Sequence, residues 1–231
     1  MGEMNLPVIR SLPVALDAAG GDFGYKVAVE GGVMAARELG LDVILVGSQP
    51  EISIRLKELK ADKEPKLQIV HADDVVGMDE APALALRRKP DSSMHKVYNL
   101  LKEGRAGSVV SAGNTGAFMA IGMNILGSLP GIVRPPIASL IPNVGDAGPS
   151  ILLDAGANVD CHAYQLIQFA IMGHYYSSSM LGISAPRVAL LSNGTEPAKG
   201  TDIIRSAASA LAGFKKINFV GYVEGNDIGH N

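Results

Sequence analysis

The chain has 231 residues, 47% hydrophobic and 19% charged, with a formal net charge of -3. That balance is globular and excludes intrinsic disorder, and its mild acidity argues against a general nucleic-acid binder, which is ordinarily basic. One cysteine, Cys161, allows no internal disulfide and suits a reducing cytoplasm. No secretory apolar core precedes Arg10 and Asp17, and the apolar run 115–133 is interrupted by Asn124, glycines and Pro130, too soon to span a bilayer.

Residues 1–11 read as a lead-in and 12–231 as a single α/β domain. A strand over 13–17 feeds the loop Ala18-Ala19-Gly20-Gly21-Asp22-Phe23-Gly24. A helix over 25–39 follows, weakened at its middle by Gly31 and Gly32. Residues 42–47 form a continuous apolar strand, 50–60 a short amphipathic helix, and 67–71 the next strand. The alternation pauses over 79–90, a polar stretch bounded by prolines, and resumes with a helix over 92–103. Strands over 108–111, 136–141, 150–154, 187–192 and 217–221 continue it, with helices near 115–126, 160–181 and 200–212. Strands separated by helices predict a layered, mostly parallel sheet with helices on both faces. Pro135, Pro136, Pro142 and Pro149 bracket two strands with no room for a helix between them, which predicts a local antiparallel pair at a sheet edge or a dimer surface. The chain ends just after a strand, where a further helix is expected.

Two strand-to-helix turns carry the chemistry. In Ser111-Ala112-Gly113-Asn114-Thr115-Gly116-Ala117 the glycines admit a close ligand, and helix-start amides attract anions. Asn114 reads either as an ordinary helix cap or as a site residue at a strand's carboxyl end. The second turn, Gly194 to Gly200, adds Lys199, placed to hold phosphate or to neutralise an oxyanion. Glu196 either orients Lys199 or caps that turn. Asp22, in the first loop, is a turn residue or a ligand contact. The loop is not GxGxxG, so no dinucleotide fingerprint is present. Asp154 and Asn158, after another apolar strand, lie in a site loop or in a turn leading to Asp160 as helix cap. Arg87, Arg88 and Lys89 form the densest basic cluster, an exposed turn or a grip for phosphate or an acidic partner. His95, His162 and His174 lack metal-ligand spacing, Cys161 reads as a buried hydrophobe, and no GxSxG elbow occurs, so neither a metal nor a covalent nucleophile is expected.

The motifs DAAGGDFG at 17–24, RRKPDSSM at 87–94, SAGNTGA at 111–117, LLDAGAN at 152–158 and GTEPAKG at 194–200 resemble, in order and spacing, the bacterial phosphate acyltransferases. The likeness runs from Leu12 to the end and departs at Ala19 and Tyr25, where the family usually has methionine and proline. It implies a fold like isocitrate and isopropylmalate dehydrogenases, related to phosphotransacylases. It also implies acyl transfer from acyl carrier protein to inorganic phosphate, giving acyl-phosphate for phospholipid synthesis. Lys199 and Asn114 would be catalytic, with Gly113, Thr115, Gly116, Gly194, Gly200, Asp22, Asp154 and Asn158 around phosphate and substrate. Arg87, Arg88 and Lys89 would dock the acidic carrier. No cofactor or metal is implied, and the protein would be a cytoplasmic homodimer at the inner membrane face. Family members continue past this sequence into a further strand and a glycine turn with a catalytic asparagine. Two alternatives remain: a phosphotransacylase using acyl-coenzyme A, and an inactive phosphate- or carrier-binding fragment.

Overall fold

The computed structural model describes residues 12–144, 148–156, 158, 160–196 and 199–229. These form two compact units, one ending at Gly127 and one beginning at Ser128.

The first unit contains β1 (Val14–Asp17), α1 (Tyr25–Glu38), β2 (Val43–Gly47), α2 (Gln49–Glu58), β3 (Leu67–His71), α3 (Pro82–Arg88), α4 (Ser93–Lys102), β4 (Ser108–Val110) and α5 (Thr115–Leu126). Its four strands are all parallel, in the order β3-β2-β1-β4. Every residue of β2 is buried, as the continuous apolar run predicts for a strand covered on both faces. Its side chains alternate. Val43 and Leu45 pack with Val29, Val33, Ile52 and Leu56 of α1 and α2, whereas Ile44 and Val46 pack with Met94, Val97 and Ile121 of α4 and α5. Gly31 and Gly32 do not break α1. A Cβ on Gly32 would lie 2.8 Å from Leu45 Cδ2 and 3.2 Å from Leu16 Cδ2, so the missing side chain lets the helix approach the sheet.

The polar stretch 79–90 differs from expectation, because it contains α3. Pro82 stands in the first turn, where its missing N–H costs nothing, and Ala85 is fully buried. Two prolines and a basic end hid a short helix of about two turns.

The second unit contains β5 (Ala138–Ile141), β6 (Ser150–Leu153), α6 (Ala163–Met180), β7 (Arg187–Leu191), α7 (Asp202–Ala212) and β8 (Asn218–Val223), followed by a 3-10 turn at Gly225–Asp227. β5 and β6 pair antiparallel, as the bracketing prolines predict. β7 and β8 pair parallel, with an irregularity after Val188 that sets Ala189 opposite Gly221. Among the described residues these strands form two separate pairs, not a continuation of the first sheet. Leu190, Ala207, Ala208, Leu211, Ala170 and Ile217 make this unit's core. α6 begins later than expected. His162, not Asp160, caps it, with Gln165 Oε1 accepting from His162 N at 2.8 Å.

His95 is 6% exposed, with Nδ1 2.9 Å from Ser92 Oγ, and burial holds its imidazole below the ordinary range. The unfolded chain therefore binds that proton first as pH falls, and stability declines below about pH 6.5. The urea midpoint should be lower at about pH 5.5 than at about pH 7.5, and His95→Gln should shrink the difference.

Candidate active site

β1 and β4 are neighbours in parallel register, so the loops leaving their carboxyl ends lie side by side. A Cβ on Gly20 would sit 3.0 Å from Gly113 N, and one on Gly21 would sit 3.1 Å from Ala112 Cβ. Gly21 also has φ +89, which favours glycine. Asp22 lies exposed on the first of these loops. Two of the motifs singled out in the sequence thus form one surface.

Asn114 caps α5, its Oδ1 accepting from Ala117 N at 3.0 Å. Its Nδ2 donates to the carbonyls of Gly77, Met78 and Glu80 at 3.3, 2.9 and 2.8 Å. Both ends of this 9% exposed side chain are engaged, so Asn114 staples the 77–80 loop to the helix start. Gly116 is explained by packing, since a Cβ there would lie 2.9 Å from Pro82 Cγ of α3. Gly113 N donates to Ser111 Oγ at 3.0 Å, which removes it from the amides that can face an anion. The amides of Thr115 and Gly116, in the first turn of α5, have no acceptor inside the helix. With the Asn114 amide, for which no acceptor occurs among the described residues, they are the donors this turn offers.

An apolar cavity of about 610 Å³ runs along α1 from the same loops, walled in part by Val14, Leu16, Gly31 and Val110. Its charged lining is Asp17 and Asp22, both acidic, which disfavours an anion inside it.

Of the basic cluster, Arg87 and Arg88 are exposed at the end of α3. Lys89 is turned inward, donating to Val75 O at 2.7 Å and to Glu80 Oε2 at 2.5 Å. That contact, with the Gly77 amide, holds the Glu80 carboxyl below the usual carboxylate range. Of this cluster the two arginines alone remain exposed.

In the second unit Asp154 adopts φ +65, an uncommon conformation that aspartate tolerates better than most residues. Its Oδ1 accepts from Asn158 Nδ2 at 2.7 Å and its Oδ2 from Cys161 Sγ at 3.3 Å. The two sequence candidates of this loop therefore meet directly. Among the described residues Asn158 Oδ1 is buried without a partner, an acceptor in want of a donor.

Lys199 is exposed, and its stem folds over Gly194, where a Cβ would lie 2.6 Å from Lys199 Cγ and 2.9 Å from Glu196 Oε2. Glycine at 194 is what admits both side chains. Among the described residues the Lys199 ammonium makes no ion pair. Gly200, at φ +83, receives Asn193 Oδ1 on its amide at 3.2 Å, and its carbonyl accepts from Arg205. Thr201 Oγ1 caps α7 through Ile204 N at 3.3 Å. Arg205, which also pairs with Asp202, is a cation beside this turn that the sequence motifs did not suggest.

A parallel α/β scaffold with glycine turns and helix starts at strand ends defines a protein of the α/β class whose members bind ligands at those ends. The family described as fatty acid synthesis protein matches residues 12–231, and the chain belongs to it. It is 47% identical over 219 residues to a phosphate acyltransferase of Lawsonia intracellularis, covering 95% of this chain and 62% of that one. It is 48% identical over 216 residues to a phosphate acyltransferase of Myxococcus xanthus, covering 93% of this chain and 60% of that one. The chain thus spans about three fifths of the length of these relatives. In fold it resembles the EutD phosphotransacetylase from Staphylococcus aureus, with a TM-score of 0.60 at 15% identity, covering 91% of this chain and 67% of that one. Among the described residues no helix is long and apolar enough to cross a membrane.

Burial and the neighbouring Asp154 push the Cys161 thiol up to about 11. At about pH 8 its alkylation should run roughly a hundredfold slower than that of free cysteine. Labelling at the free-thiol rate would show that the Cys161–Asp154 contact does not persist in solution.

Proposed function

We propose that the protein transfers a fatty acyl group from acyl carrier protein to inorganic phosphate, yielding acyl-phosphate for phospholipid synthesis. The observation that carries this reading is the α5 start, whose Thr115 and Gly116 amides stand open at a strand's carboxyl end in a chain 47% identical to a phosphate acyltransferase. We take 12–231 as one acyltransferase domain, since the family match runs through both units. The same reading places the protein as a cytoplasmic homodimer working at the inner membrane face.

In this mechanism a phosphate oxygen attacks the thioester carbonyl, the carbon–sulfur bond breaks, and the carrier thiol leaves with the proton that phosphate gives up. Phosphate is already nucleophilic near neutrality, so positioning and oxyanion stabilisation supply the catalysis. Thr115 and Gly116 hold the phosphate, and Lys199 neutralises charge developing on the oxyanion. Asn114 contributes by shaping the turn through its cap and its three carbonyl contacts. Asp154 and Asn158 order the loop after β6, and Gly194 and Gly200 give Lys199 its course. Asp22 borders the substrate entrance.

In the full-length protein Lys199→Ala should keep the circular dichroism spectrum and lose about a hundredfold or more in turnover. A folded variant with near-normal turnover removes the lysine from the mechanism. Comparing acyl carrier protein and coenzyme A thioesters as donors decides the carrier; faster coenzyme A turnover favours an acyl-coenzyme A phosphotransacylase. Arg87→Glu with Arg88→Glu should raise KM for the carrier substrate severalfold while KM for phosphate stays put. An unchanged carrier KM would dismiss α3 as the docking surface.

A further inference from the structure

We infer that Asp17 and Ser111 are positioning residues for the phosphate turn, acting through one directed chain of hydrogen bonds that ends on the Gly113 amide. The inference rests on the phosphate reading of the 111–117 turn given above.

Asp17 closes β1 and is 1% exposed, although a buried carboxylate is costly unless its oxygens are served. Both are served. Oδ1 accepts from Ala19 N at 3.2 Å, and Oδ2 accepts from Ser111 Oγ at 2.7 Å across 94 residues of chain. A carboxylate only accepts, so the single hydroxyl proton of Ser111 points at Asp17. Towards Gly113 the same oxygen can then only accept, and it takes the Gly113 amide at 3.0 Å. Direction follows from the donor inventory alone: Gly113 N–H to Ser111 Oγ–H to Asp17.

This chain holds the peptide between Ala112 and Gly113 with its N–H turned inward. The amides that follow it, of Asn114, Thr115 and Gly116, have no acceptor among the described residues, and their presentation depends on that peptide. Space around the chain is reserved as well. A Cβ on Gly20 would lie 2.7 Å from Asp17 Oδ2 and 3.0 Å from both Ser111 Oγ and Gly113 N. Glycine at 20 keeps the three polar groups in contact, which gives the first loop a part in holding the second. Neither Asp17 nor Ser111 touches the reacting atoms in this account; they act through Gly113.

The test uses Ser111→Ala, Ser111→Thr, Asp17→Asn and Gly20→Ala in the full-length protein. Initial rates are read against phosphate and against acyl thioester, with hydrogen exchange at the Gly113 amide. Ser111→Ala should raise KM for phosphate about tenfold or more, leave the thioester KM within about twofold, and speed Gly113 exchange. Ser111→Thr, which keeps the hydroxyl, should restore phosphate KM to within about threefold of the wild type. Asp17→Asn and Gly20→Ala should shift phosphate KM in the same sense as Ser111→Ala. Should the Asp17 variant fail to fold, half-buried Ser111 carries the test through its alanine and threonine pair. An unchanged phosphate KM in Ser111→Ala, or an equal rise for both substrates, overturns the inference while leaving the acyl transfer intact. If the wild type forms no acyl-phosphate, the proposed activity fails instead, and Gly113 exchange alone decides: protection retained in Ser111→Ala overturns the hydrogen-bond chain.

Discussion

The parallel pairing of β1 with β4 is the constraint from which the first unit's site derives. It sets Val14 beside Ser108 and Leu16 beside Val110, so both strands release their loops at the same edge. The loops can touch only because glycines stand where they meet: Gly20 against Gly113, and Gly21 against Ala112. Backbone meets backbone there, and the buried Asp17 carboxylate fills the remaining polar demand. A methyl group at either position would part the loops before it altered any chemistry.

The helix start built on that contact is secured from two further sides. Asn114 satisfies one orphan amide of α5 and draws three carbonyls of the 77–80 loop onto its amide. Gly116 receives the Pro82 ring, so α3 leans on α5 where the α5 side has no side chain. The stretch where regular strand–helix alternation lapses is thus a wall of the 111–117 turn. Such bracing matters because a helix start favours an anion only while its amides keep a common direction. The inward turn of Lys89 onto Glu80 belongs to this bracing and takes one cation out of the exposed basic cluster.

The second unit works differently. Its loop after β6 is organised by a single aspartate in an uncommon conformation, which gathers Asn158 and Cys161 on its two oxygens. Its lysine turn leaves the ammonium exposed, with the stem laid across Gly194 and the following helix capped by Thr201. The first unit offers rigid neutral donors, and the second offers a charge on a long side chain.

Local pattern carried much of this protein. The apolar run 42–47 specified a strand buried on both faces, and the prolines at 135–149 specified an antiparallel pair, because these are properties of nearest neighbours along the chain. The turn at 111–117 was legible for the same reason: glycine, cap residue and helix period all lie within seven positions. What lay between distant segments was not legible. The bond from Ser111 to Asp17, the reach of Asn114 to Gly77 and Glu80, and the seat of Pro82 on Gly116 all join segments tens of residues apart. Nothing in either segment alone announces the other. α3 was hidden because a seven-residue helix rests on its contact with α5 and not on its own periodicity. His162 replaced Asp160 as the cap of α6 because the box closed by Gln165 settled where the helix begins. Sequence thus determined which turns exist and which polar groups each carries. Tertiary structure decided which of their groups remain free to bind, since a hydrogen-bond donor used at one contact is lost to another.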